Sequence, residues 1–250
     1  MHDELKDVAK DYAQRYPRIT NLDTRKQKGA KIAAVLQDFF GSEMQNKTIV
    51  DVGASGCVPL LEIIKLLKPK KAFGIDLDES ILPPSSEFLT TMVADAMNLP
   101  FTDKSVDILI CNHVYEHVSD SKALFKELHR VLRKGGIVYF GAMNARWPIE
   151  PHYDLPFLHW MPELISEKLV RKKGYDHGYL EKPLTTPKLK QLVNQFELLD
   201  YTIPIITDPV KFNATDVVKS SWLPSFVKKG LGIVFYGFLP SYIWVLRKSR

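Results

Sequence analysis

The chain has 250 residues, 45% of them hydrophobic and 25% charged, the make-up of a globular protein with one large domain or one domain carrying insertions. That composition excludes a disordered chain, a fibre and a polytopic membrane protein, and two cysteines, Cys57 and Cys111, exclude a disulfide scaffold and fit a reducing compartment. The net charge is +5, and beyond Ile206 the basic residues Lys211, Lys219, Lys228, Lys229, Arg247, Lys248 and Arg250 face only Asp208 and Asp216, so the excess sits in that stretch. The opening Met1-His2-Asp3-Glu4 has neither the positive start nor the apolar run of a signal peptide, and a cytoplasmic location is expected.

The first 40 residues read as helix. Residues 7–16 are mostly polar and stop at Pro17; a second helix begins after Asn21 or Asp23, carries Ile32, Ala33, Val35, Leu36 and Phe39 at helical spacing, and ends at Gly41. Strands are predicted at 48–52, 72–76, 91–94 and 106–111, with a helix at 58–67 between the first two. A helix capped by Ser119 or Asp120 runs to Arg133, is broken by Gly135-Gly136, and leads to a fifth strand at 137–142. This rhythm means an α/β fold whose parallel sheet is covered on both faces. After Asn144 the rhythm stops: residues 146–183 are rich in Pro, His, Trp and Tyr and show no clear strand. A helix starting at Thr185 or Thr186, with Pro187 in its first turn, runs to about Phe196. Sixth and seventh strands are predicted at 198–206 and 242–247, with a connection far too long for a hairpin loop.

Asp51-Val52-Gly53-Ala54-Ser55-Gly56 follows the first strand. Glycine there lets the chain turn tightly and lets a ligand lie on bare backbone, and the next helix offers free amides. The loop lacks the Gly-x-Gly-x-x-Gly of a dinucleotide site and the Lys-Ser/Thr of a P-loop. Asp51 would repel a pyrophosphate but suits a cationic amino-acid ligand. Asp76, followed by Leu77, ends the second strand, where a carboxylate can accept both hydroxyls of a ribose. Asp95 and Ala96, with the apolar residues that follow, can hold the amino edge and faces of an adenine. A plain tight turn is the alternative reading of the glycine loop.

His113-Val114-Tyr115-Glu116-His117 has the spacing of a zinc signature that needs a helix. Here it follows a strand, so Glu116 and His117 are expected to be polar framework at a pocket floor, and no metal is expected. The segment after the fifth strand, with Trp147, His152, Tyr153, His159 and Trp160, is expected to cover a substrate pocket.

In this order and spacing, Asp51–Gly56, Gly74-Ile75-Asp76, Ala94-Asp95-Ala96, Ser105-Val106-Asp107, Glu116-His117-Val118 and Leu128 through Gly136 resemble the core of class I S-adenosylmethionine-dependent methyltransferases, in the branch of the ubiquinone and menaquinone methyltransferases. The resemblance implies a doubly wound, mostly parallel seven-stranded Rossmann-like sheet with an antiparallel last strand. It divides one domain into a helical N-terminal flap (1–45), a cofactor-binding core (46–144), a substrate cover (145–185) and a C-terminal sheet half (186–250) with a basic and apolar insertion at 207–241. It implies methyl transfer from S-adenosyl-L-methionine to a small-molecule or lipid- or glycan-linked acceptor. Asp51, Gly53, Ala54, Ser55 and Gly56 would lie on the methionine part, Asp76 and Leu77 at the ribose, Asp95 and Ala96 at the adenine, and Asn112 and His113 near the methyl end. A hydroxyl acceptor would also need a base, for which His117, His113, His152 and His159 are candidates. The chain departs from the family in having Cys57-Val58 where a third glycine is frequent and Ser55 where a glycine is frequent.

Residues 230–246 are apolar but shorter than the roughly 20 residues of a membrane span, and Gly232, Gly237 and Pro240 interrupt them. They are expected either to form a lid or to bind an anionic membrane surface reversibly, with Lys219, Lys228 and Lys229 among Trp222, Phe226, Phe235, Tyr236, Phe238 and Trp244. Basic residues mixed with large aliphatics, and no separate RNA-binding module, argue against a nucleic-acid partner. A non-catalytic nucleotide- or partner-binding module on the same frame stays open, as does the oligomeric state.

Overall fold

The computed structural model describes residues 21–175, 178–218 and 224–249. The helix expected at 7–16, and Lys219 and Trp222 of the proposed membrane contact, lie outside them. The second expected helix is α1 (Leu22–Phe40): the Asn21 side chain accepts from the Thr24 amide, Gly41 ends it at φ +56°, and Ile32, Ala33, Val35 and Leu36 are buried. Then follow β1 (Thr48–Val52), α2 (Val58–Leu67), β2 (Lys71–Asp76), β3 (Thr90–Val93), β4 (Val106–Asn112), α3 (Ser121–Val131) and β5 (Leu132–Met143). The cover contains a short hairpin of β6 (Ile149–Glu150) and β7 (Leu155–Pro156), then α4 (Glu163–Lys172). The chain continues with α5 (Thr186–Leu192), β8 (Glu197–Asp200), α6 (Thr202–Thr207), α7 (Ser225–Val234) and β9 (Ser241–Arg247).

Among the described residues, the main sheet has seven strands in the order β3-β2-β1-β4-β5-β9-β8. The first five run parallel, and β9 lies antiparallel between β5 and β8. The β-branched runs of β1 and β4 are buried because helices cover both sheet faces. Sheet growth reverses direction between β1 and β4, which opens a crevice at the carboxyl ends of those strands, where α/β folds bind ligands.

Three expectations are corrected. Gly135-Gly136 does not break a loop open before β5: the strand begins at Leu132, directly after α3. The residue after β9 supplies partners, since the Gly135 amide donates to Lys248 O (3.0 Å) and the Lys248 amide to Gly136 O (2.9 Å). The sixth strand is shorter than its apolar run. It stops at Asp200, whose side chain accepts from the Thr202 amide (2.8 Å), and Pro204, which has no amide to give a sheet, sits in the first turn of α6. In the cover, α4 forms where no helix was expected, and Tyr153, Leu158 and Val170 build a small core of their own there. Tyr153 is therefore core rather than pocket lining.

The basic C-terminal stretch is also different from its expectation. Lys228 is only 7% exposed, as is Lys248, which caps the last carbonyls of α3 by donating to His129 O (2.6 Å) and Leu132 O (2.8 Å). Arg247 pairs with Glu197 and Lys211 with Asp38, each at 2.6 Å. Trp244 is buried and stacks with Tyr242, which in turn stacks with Tyr236. Phe226, Phe235 and Phe238 stay exposed. Among the described residues, no helix is long and apolar enough to cross a membrane.

One buried side chain ties this stretch to the end of β5. Asn144 Nδ2 donates to Gly237 O (3.0 Å) and Leu239 O (2.8 Å), and its Oδ1 accepts from the Arg146 amide (3.1 Å). An unmade buried hydrogen bond costs about 1–3 kcal/mol. Asn144→Leu should therefore lower the unfolding free energy by about 2–4 kcal/mol, read as a shift in the urea midpoint; an unchanged midpoint would show that the tie contributes nothing.

Candidate active site

The glycine loop folds back over the end of β2. The amides of Gly53 and Ala54 both donate to Ile75 O (2.8 and 2.9 Å), and the Ser55 amide donates to Asp76 Oδ2 (2.7 Å). Gly53 has φ +73°, and a Cβ there would stand 2.8 Å from Val114 Cγ2. Cys57, in place of the family's frequent third glycine, takes a left-handed conformation (φ +55°). Its thiol fits because its neighbour on β2 is Gly74, where a Cβ would lie 2.5 Å from Cys57 Sγ. Burial, with the charges of Asp51 and Asp76, pushes that thiol up to about 12, so it is inert packing. Gly56 and the buried Ala54 complete the loop.

Two carboxylates stand at the carboxyl ends of β1 and β2. Asp76 Oδ1 accepts from the Asp78 amide (3.1 Å) while Oδ2 holds Ser55. Burial raises its carboxyl above the usual range, against these two amides, which favour the charge. Asp51 is buried, and burial pushes its carboxyl up to about 7; Arg25 opposes the shift and Asp76 adds to it. Arg25 reaches in from α1, with Nη1 donating to Ser55 Oγ (3.4 Å). Sequence reasoning missed Arg25; its only signal is a cation on the polar face of the flap helix. Asp95 follows β3, its Oδ1 accepting from the Met97 amide (2.9 Å), and Ala96 is buried beside it. Leu77 and Asn112 are half-buried, just after β2 and at the end of β4 respectively.

His113 comes next, at φ +57°, with its amide donating to Gly141 O (2.9 Å). From here the structure gathers the other candidates into one cluster. His113 Nδ1 lies 3.1 Å from Glu116 Oε1, His117 Nδ1 3.9 Å from Glu181 Oε1, and His152 Nδ1 2.7 Å from Glu150 Oε1. The rings of His117 and His152 meet edge to face at 5.2 Å. Burial would raise Glu116, but the His113 hydrogen bond and the charges of His113 and His117 outweigh it and hold the carboxyl below its usual range. Burial depresses His117. For His152, burial works against the imidazolium, yet the Glu150 bond and the charges of Glu181, Glu150 and Glu116 raise it above the usual range. Sequence reasoning missed Glu150 and Glu181. His159 lies apart from these pairs, its Nδ1 2.6 Å from the Tyr179 hydroxyl. Among the described residues, no group of three or more His, Cys, Asp or Glu is placed to hold a metal ion.

The Asp51 shift has a sign that can be worked through. Its folded value is near 7 and an unfolded Asp titrates near 3.9, so between these the folded state keeps a proton that the unfolded state loses. Stability from this group is full below about pH 4 and falls as pH rises to about 7, by up to about 4 kcal/mol. Asp51→Asn should remove this decline, so that the variant gains on the wild type between pH 5 and pH 8 in urea unfolding; parallel curves would count against the buried acid.

Residues 50–140 match a family model described as a methyltransferase domain. The malonyl-[acyl-carrier protein] O-methyltransferase 1 of Coxiella burnetii is 32% identical over 96 residues, 38% of this chain and 33% of that protein. The demethylmenaquinone methyltransferase of Staphylococcus epidermidis is 32% identical over 118 residues, 43% of this chain and 47% of that protein. The chain thus spans a third to about half the length of these curated relatives. In fold, it is similar to the methyltransferase solved in complex with the Trm112 methyltransferase activator of Haloferax volcanii, with a TM-score of 0.57 at 17% identity over 99% of this chain and 98% of that one. The buried acid of β1 and the carboxylate of β2 held by backbone amides lie within the residues that match, so residues 50–140 are similar to a methyltransferase domain in sequence and the whole chain is similar to a methyltransferase in fold.

Proposed function

We propose that the chain transfers a methyl group from S-adenosylmethionine to a small-molecule acceptor carried on a lipid or a glycan. The observation that carries this is the pair of carboxylates, buried Asp51 and half-buried Asp76, around a loop whose amides are tied to β2. The residues suit the cofactor. Burial holds the Asp51 carboxyl up to about 7 although Arg25 and Lys28 oppose it, so the α-ammonium of a methionine moiety would supply a further cation that it can use. Asp76 uses one lone pair of each oxygen on Ser55 and Asp78, and a carboxylate has about four sites, which leaves two for ribose hydroxyls. Asp51, Gly53, Ala54, Ser55 and Gly56 would hold the methionine part, Asp76 and Leu77 the ribose, Asp95 and Ala96 the adenine, and Asn112 and His113 the methyl end. When bound, the cofactor supplies an electrophilic methyl on a sulfonium; the protein's share is positioning and exclusion of water. Relatives named for malonyl-[acyl-carrier protein] and demethylmenaquinone support an acceptor group borne on a larger carrier.

Calorimetry should give micromolar binding of S-adenosylhomocysteine, about 8 kcal/mol, and Asp76→Ala should weaken it at least tenfold through charge-assisted bonds worth about 1.5–3 kcal/mol each. Absent binding, or an affinity unchanged by the substitution, would overturn this function.

The exposed side chains of Phe226, Val234, Phe235 and Phe238 support a peripheral membrane contact for a lipid-borne acceptor. With Lys228 buried, Lys211 paired and Lys219 outside the described residues, Lys229 is the exposed cation on α7. One lysine adds about 1 kcal/mol, so the preference for anionic lipid should be about fivefold. Vesicle co-sedimentation should show binding to phosphatidylcholine, a modest gain with phosphatidylserine, and loss in Phe226→Ser/Phe238→Ser; no pelleting with either lipid would make the stretch a lid.

A further inference from the structure

The stretch between β8 and β9 encloses a cavity that shares no residue with the cofactor loop or with the cover. Its volume is about 320 Å³, and its walls include Thr207, Asp208 and Val210 at and beyond the end of α6, Thr215, and Ser225 and Lys228 of α7. The two helices lie close because Gly232 has no side chain: a Cβ there would stand 3.0 Å from Ile203 Cδ1.

Lys228 sets this cavity apart. Its side chain is buried, and among the described residues its ammonium has neither a hydrogen bond nor an ion pair. Of the acids in this stretch, Asp216 pairs with Lys31 (3.3 Å), and Asp208 has Oδ1 on the Lys211 amide (3.1 Å). A buried cation without a counter-charge is costly. A second, independent source of positive potential is the start of α7. No side chain caps that helix, and the Val227 and Lys228 amides both go to Pro224 O, so the Ser225 and Phe226 amides have no partner within it. The hydroxyls of Thr207 and Ser225 are spent on Ile203 O (2.8 Å) and Thr207 O (3.2 Å). The donors that remain are the Lys228 ammonium, the Thr215 hydroxyl and the first amides of α7, a set that suits a phosphate.

Asp208 also lines the cavity, so its walls carry both signs. A bare phosphate meets repulsion there, whereas a phosphate with a short ammonium arm meets a partner for each charge. The rim is apolar: Val210 is exposed, and so are Val217 and Phe226, the chain neighbours of the lining residues Val218 and Ser225. Apolar side chains around a charged cavity suit a headgroup whose acyl chains stay in a bilayer.

We propose that this cavity binds the phosphoethanolamine headgroup of a phospholipid, with the phosphate on Lys228 and the start of α7 and the ammonium on Asp208. The inference rests on the membrane contact proposed above and deepens it by naming the lipid; it does not depend on methyl transfer.

The test uses the full chain, with glycerophosphoethanolamine as the soluble headgroup. Glycerophosphocholine, whose quaternary ammonium has no hydrogen to donate, is the control. Calorimetry should show saturable binding of the first and binding about fivefold weaker, or less, of the second. Lys228→Met should weaken binding at least about tenfold, Lys228→Arg by less than about threefold, and Lys229→Met not at all. Asp208→Asn should erase the preference between the two headgroups. Independently of any variant, glycerophosphoethanolamine should shift the NMR resonances of the Ser225 and Phe226 amides in the wild type. In co-sedimentation, vesicles of phosphatidylcholine and phosphatidylethanolamine in equal parts should pellet more protein than phosphatidylcholine alone. Salt should not remove that difference, because the two lipids have the same net charge, and Lys228→Met should lose it. Absent binding of glycerophosphoethanolamine, equal affinity for the choline headgroup, amide shifts confined to other elements, or an affinity in a folded Lys228→Met within about twofold of wild type would each overturn the site. Equal pelleting on the two kinds of vesicle would overturn it as a lipid site. Binding of the soluble headgroup with no pelleting on any vesicle would instead strike the membrane contact and assign the cavity to a soluble phosphoethanolamine.

Discussion

The Ser55 amide held on the Asp76 carboxylate at 2.7 Å is the contact on which the cofactor side depends. It joins the loop after β1 to the end of β2, and it works because parallel pairing sets Asp51 opposite Gly74 and Val52 opposite Ile75. The same register lets Ile75 O take two loop amides and lets the Cys57 thiol lie where Gly74 has no side chain. A charged acceptor makes hydrogen bonds about twice as strong as neutral ones, so Asp76 both shapes the loop and presents its remaining lone pairs to the crevice. In the proposed function, one side chain thereby couples folding of the loop to recognition of the cofactor.

The two halves of the crevice solve the problem of buried acids in different ways. On the cofactor side, Asp51 keeps its proton up to about pH 7 because Arg25 only partly offsets its burial. In the proposed function, the ammonium of the cofactor completes that balance. At the turn after β4 and on the cover, Glu116, Glu150 and Glu181 are each set against an imidazole, so the balance is internal.

The cover is what brings the second half into being. Its small core of Tyr153, Leu158 and Val170 is separate from the main one, and the backbone joins it to the sheet through the Lys182 amide on Glu116 O (2.9 Å) and the Leu184 amide on the Tyr115 hydroxyl (2.9 Å). Tyr115 in turn donates to Met143 O at the end of β5 (2.8 Å). His152 and Glu181 thus reach the turn after β4 from both ends of one inserted segment. A segment with its own core and a few polar ties can adjust to an acceptor without disturbing the sheet.

By itself, the sequence determined the alternation of strands and helices from Thr48 to Val131, narrowed the caps to Asn21 or Asp23 and to Ser119 or Asp120, and placed Asp51, Asp76 and Asp95 at strand ends, because these depend on period and on residues close in the chain. It placed His113, His117 and His152 as candidates but could not pair His117, since Glu181 lies far along the chain and meets it only once the cover has folded back. The paired strand at Gly135-Gly136, the early stop of β8 at Asp200 and the burial of Lys228 and Lys248 were likewise decided by the tertiary structure. At Gly135-Gly136 and at Lys248 a partner distant in sequence offered hydrogen bonds that outweighed the local preference of a glycine for a turn or of a lysine for water, whereas β8 stops where the Asp200 carboxylate takes the Thr202 amide and Pro204 follows.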